Sequence, residues 1–174
     1  KVRMPCCLTS PFVSQLGLQR GADGGQRGEQ GATNRDLNAE AIGLTLSEVG
    51  ITVDCLPLLD VRVPETHDAI GDRAFGNEPL RDASLGRAVI DGLKAGGVVG
   101  IVKHMPGQGR ALVDSHHELP TVSASADNLA QDLAPFAALK NAPMGMTAHV
   151  VFEAWDAERC ATMSPTIIQD IIRG

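Results

Sequence analysis

A chain of 174 residues, 43% hydrophobic and 21% charged, carries enough apolar material for one ordinary globular core. Its formal charge of −6 and its 3% aromatic content, with no Tyr, argue against nucleic acid as a partner. Phosphate binding needs clustered cations, and base stacking needs rings. No apolar run approaches the roughly 20 residues that span a bilayer, so no membrane partner is expected.

Residues 1–32 read as an irregular leader. "KVRMPCCLTSPFVSQ" lacks the apolar centre of a signal peptide, and "GADGGQRGEQGATN" is Gly-rich and polar with neither helical nor strand period. The regular domain is expected over 33–174. Leu37, Ala41, Leu44 and Val49 recur at helical spacing, with Gly50 as the stop. "ITVDCLPLLDV" (51–61) is β-branched and apolar enough for a buried strand, interrupted by Pro57. A loop, "RVPETHDAIGDRAFGNEP", precedes a helix over 80–95 that Gly96 and Gly97 end, and residues 98–103 form the next buried strand. Ser123 or Ser125 can cap a helix with Leu129, Leu133, Phe136 and Leu139 on one face. Residues 143–150 read as a third strand, and Ser164-Pro165 supplies the cap and first-turn proline of a last helix. Cys6, Cys7, Cys55 and Cys160 contain no CxxC pair and read as reduced thiols, with Cys55 a small buried hydrophobe.

Strands separated by helices imply parallel βαβ units, so the fold class is α/β with about three parallel strands and flanking helices. The period alone leaves two architectures open, a doubly wound sheet and part of a (β/α)8 barrel. Both place their chemistry in loops at the C-terminal strand ends. Asp60, Lys103 with His104, and His149 occupy those three ends and are expected to converge.

The loop after the second strand, "KHMPGQGRALVDSHHELP", is long for a βα connection of roughly 2–6 residues. Asp114 and His116 stand two apart on it. A carboxylate folded back on an imidazole fixes its tautomer and favours proton transfer near neutral pH. The blander alternative is a turn capped by Asp114 with His116 and His117 in solvent. A metal reading would draw ligands from His104, Asp114, His116 and His149, but no HxH or HExxH spacing accompanies them. No GxSxG elbow and no GxGxxG phosphate loop occur, and neither a metal nor another cofactor is expected.

The same loop resembles the "KHFPGHG…DSH…LP" signature of the glycoside hydrolase family 3 β-N-acetylhexosaminidases, bacterial enzymes that remove N-acetylglucosamine from cell-wall fragments. "GITVDCLPLLDV", "GDRAFG", "MTAHVVF" and "SPTIIQDIIRG" are similar to further family segments in the family's order. The resemblance implies a partial (β/α)8 barrel in residues 33–174. It also implies retaining hydrolysis of terminal β-linked N-acetylglucosamine, as in cytoplasmic peptidoglycan recycling. His116 then matches the proton donor and acceptor, Asp114 its partner, and Arg73, Lys103 and His104 the sugar-binding residues, with Asp60 and His149 supporting them. Gln108 stands where the family commonly has His. The family's "DxEGG" strand and the arginine after it cannot be placed in residues 1–32, where "DGGQR" is too degenerate a match. Its nucleophilic Asp lies in an "SDDLSM"-like strand after "IIRG", where this sequence ends, so the chain reads as a fragment of the enzyme with little turnover alone.

Overall fold

The computed structural model describes residues 28–174, with side chains from Asn34 onward. Cys6, Cys7 and most of the leader lie outside the described residues. Helix α1 (Gly28–Glu48) begins within the stretch read as irregular, and Gly50, at φ 81°, ends it as expected. The residues that carry its helical spacing are not the buried ones: Leu37, Leu44 and Val49 face outward. The buried side carries Arg35, Ala39 and Gly43 and packs on helix α2 (Pro79–Ala95). Small residues line that seam because the two backbones approach closely. A Cβ on Gly92 would overlap the Asp36 carbonyl, and one on Gly43 would lie 2.9 Å from the Leu93 carbonyl oxygen.

Three parallel strands form the main sheet in the order β1–β2–β4: β1 (Val53–Asp54), β2 (Val99–Met105) and β4 (Met144–Thr147). The expected 51–61 strand is shorter than its apolar run. Pro57 has no N–H for the ladder, so regular pairing stops after Asp54 and resumes only where Leu58 pairs with Lys103. There Lys103 N–H donates to the Pro57 carbonyl (3.1 Å), and Leu59 N–H donates to that of Lys103 (2.7 Å). This fixes the backbone leading into Asp60.

Helix α3 (Ala126–Ala138) starts at Ser125, whose hydroxyl accepts from Asn128 N–H, and it buries Leu129 and Phe136 as its spacing predicts. Leu59, Ile90, Val102, Phe136 and Leu139 form the layer between sheet and helices. A second small sheet is not foreshadowed by any period. In it β3 (Thr121–Val122) runs parallel to β5 (Val151–Phe152), which pairs antiparallel with β6 (Asp156–Cys160). Ser164 then opens the last helix, a wide π-type coil over Ile167–Ile172, by accepting from Ile167 N–H. Among the described residues no helix is long and apolar enough to cross a membrane.

Candidate active site

Asp60 is the anchor of the strand-end cluster. It is 1% exposed and accepts three hydrogen bonds: from His104 N–H (3.2 Å), from the His104 ring at Nδ1 (2.8 Å) and from Gln108 N–H (2.7 Å). A carboxylate only accepts, so Nδ1 of His104 donates to it, and Nε2 is left as the polar face of the ring. Lys103, the preceding residue, is buried beside it. Burial first, and the nearby Arg73 charge second, push its ammonium below the ordinary lysine range, against the opposing pull of Cys55, Asp54 and Asp60. Arg73 lies on the single turn Gly71–Arg73 and donates from Nη1 to the Ala69 carbonyl (2.7 Å). Three of the expected binding residues therefore sit in one neighbourhood, two of them close enough to couple electrostatically.

The loop after β2 has a fixed root. Gly107, at φ 133°, packs on Asp132 of α3, and a Cβ on Gly109 would overlap the Val61 carbonyl. Arg110 donates through Nε to the buried Asp132 (2.6 Å), and Thr66 donates to the Gly109 carbonyl (2.7 Å). Beyond this root, Leu112 and residues 116–119 are exposed. Asp114 Oδ1 accepts from both the His116 backbone (2.9 Å) and the His116 ring at Nδ1 (2.7 Å). Those two bonds, the backbone one first, hold the Asp114 carboxyl below its usual range. With Nδ1 committed to Asp114, Nε2 of His116 is the atom left for proton exchange. The His117 ring makes a longer contact, 3.8 Å, to the other Asp114 carboxylate oxygen.

The expected convergence of three strand ends is met in part. Asp60 and His104 are in contact, whereas His149 is exposed and shares its described hydrogen bond with Thr162 (3.0 Å), at the end of the β5–β6 hairpin. Among the described residues no three His, Cys, Asp or Glu side chains are grouped to hold a metal ion. Sequence reading missed the Arg110–Asp132 pair and the bond from Gln108 Nε2 to Ser115 (3.0 Å). No local spacing marks a partner 22 residues away. Gln108 stood out only by its departure from the family turn.

Comparison with known proteins points one way. Beta-hexosaminidase A of Pseudoalteromonas piscicida is 37% identical over 150 residues, covering 78% of this chain and 25% of that protein. A beta-hexosaminidase of Chromobacterium violaceum is 38% identical over 143 residues, covering 78% of this chain and 40% of its own length. The chain thus spans less than half of either relative. The crystal structure of NagZ from Neisseria gonorrhoeae superposes with a TM-score of 0.79 at 33% identity, over 92% of this chain and 46% of that one. The fold is accordingly part of the barrel architecture of these enzymes, a parallel three-stranded sheet with flanking helices. The model of the glycosyl hydrolase family 3 N terminal domain matches residues 29–174. The chain belongs to that family.

Proposed function

We propose that residues 33–174 form the sugar-binding and proton-transferring part of a retaining β-N-acetylhexosaminidase. Arg73, Lys103 and His104 hold a terminal β-linked N-acetylglucosamine by donating to its oxygens. His116, oriented by Asp114, moves the proton. The observation that carries the reading is the Asp114–His116 contact on a loop rooted on the Asp60–His104 pair. It is supported by a solved relative, NagZ of Neisseria gonorrhoeae, in complex with N-trifluoroacetyl-D-glucosamine.

In the first step His116 Nε2–H gives its proton to the glycosidic oxygen as the C1–O bond breaks, and a carboxylate takes C1. In the second step a water oxygen attacks C1, its proton passes to Nε2, and the carboxylate leaves. The family resemblance assigns that carboxylate to a nucleophilic segment following "IIRG". In this reading these residues bind sugar and position the proton, and the cleavage itself needs that segment. The reading extends to cytoplasmic turnover of peptidoglycan-derived sugars.

Titration of N-acetylglucosamine into the 174-residue chain, followed by NMR, is expected to show saturable binding. Lys103→Ala and Arg73→Ala abolish it, and His116→Ala retains it. The 174-residue chain releases little or no nitrophenol from an aryl N-acetylglucosaminide. A chain continued through the nucleophile segment does release it, and His116→Ala lowers that rate roughly 100- to 10,000-fold. Absence of sugar binding, or equal rates with and without His116, would overturn the proposal. Sugar binding with no turnover in the continued chain would favour a non-catalytic product instead.

A further inference from the structure

The root of the loop after β2 is held from three sides, by Asp60, by Thr66 and by Asp132, each through a bond of 2.6–2.7 Å. The arm that carries the dyad is different. All but one of its described hydrogen bonds at residues 114–118 are internal: His116, His117 and Glu118 donate backbone N–H groups to Asp114. They shape the turn but do not tie it to the root. One described bond crosses from root to arm, Gln108 Nε2 to Ser115 Oγ (3.0 Å). Ser115 is the residue between the two members of the dyad, so this bond acts where orientation matters most.

Gln108 is suited to the task. Its side chain belongs to a residue only 5% exposed, and its backbone N–H is already bonded to Asp60, which is bonded to His104. A long side chain with a buried, fixed base loses little further freedom when its amide meets a hydroxyl. The chain of contacts runs His104–Asp60–Gln108–Ser115 and ends inside the Asp114–His116 turn. We propose that Gln108 is a positioning residue that sets where His116 stands relative to the His104 end of the site. This rests on the reading of Asp114 and His116 as the acid/base pair. It adds the strut that couples that pair to the sugar-binding strand end.

The test is amide order in the 174-residue chain without sugar, so its outcome does not depend on whether the sugar reading stands. Gln108→Met keeps the length and removes the donor, and Ser115→Ala removes the acceptor at a half-buried position. Each is expected to speed amide exchange at residues 115–118 about 5-fold, the factor one net hydrogen bond supports, with the amide of Ala111 in the root unchanged. The double variant adds nothing to either single change, and Ser115→Thr, which keeps the hydroxyl, restores wild-type order. Additive effects, an unaltered arm in Ser115→Ala, or a loosened root in Gln108→Met would each overturn the assignment. In the continued chain, both single variants lower kcat on the aryl N-acetylglucosaminide with KM unchanged. Retained kcat would count against it.

Discussion

Asp60 shows how much one buried carboxylate can organise. Its two oxygens receive three donors from two residues of the following strand and loop, and the carboxylate itself is 1% exposed, so it has no water to replace a lost donor. Asp60→Asn keeps the volume but replaces one acceptor oxygen by an amide N–H₂, so the bond to the His104 ring is lost or reversed, with the ring proton forced onto Nε2, and the charge-assisted bonds become neutral ones. The expected cost is about 2–3 kcal/mol of stability, read from the urea midpoint, together with loss of N-acetylglucosamine binding. A variant as stable as the parent would show that these contacts are incidental. Asp60, Lys103 and His104 were visible in the sequence because strand ends in parallel sheets point their polar residues at one edge, and Asp114 and His116 because their spacing is local. The Arg110–Asp132 pair was not visible. Both residues are of ordinary surface type, and only the packing of α3 under Gly107 brings them together.

Helices were more legible than strands for a physical reason. A helix of three or more turns repeats its pattern and announces its ends, as Gly96 and Gly97 do for α2 and Ser125 does for α3. The two-residue strands β3 and β5 are too short to carry a period, so the second sheet had no signal. Even for α1 the apolar spacing pointed to the wrong side, because the α1–α2 seam depends on absent side chains rather than large ones. That gives a prediction. Gly92→Ala puts a methyl group into the Asp36 carbonyl and within 2.8 Å of Ala39 Cβ, forcing the helices apart. It is expected to cost about 1–3 kcal/mol and lower Tm, whereas Leu44→Ala on the exposed side stays within about 0.5 kcal/mol of the parent. The reverse ranking in a thermal melt would show that the larger apolar residues, not the glycines, define the packed face.

The same helix pair gives the whole molecule a pH-dependent stability. Asp82 of α2 is 1% exposed, and neither of its carboxylate oxygens has a hydrogen-bond partner among the described residues. Burial drives its pKa from 3.8 up to about 7. Arg81 and then Arg35 pull it down, and Glu78 pushes it up. The neutral carboxyl is therefore the form that the folded chain prefers, while the unfolded chain ionises near 3.8. Between those values the folded state binds more protons, so this group's contribution is fully present below about pH 4 and is lost as pH rises toward 7. The slope approaches about 1.4 kcal/mol per pH unit inside that window. Asp82→Asn mimics the neutral form at every pH and removes the term. Urea unfolding at a series of pH values should show the variant close to the parent at pH 4 and ahead of it by a few kcal/mol at pH 8, with the gap opening across the window. A gap independent of pH would mean that Asp82 stays ionised in the fold, held by the Arg35 and Arg81 charges rather than neutralised by burial.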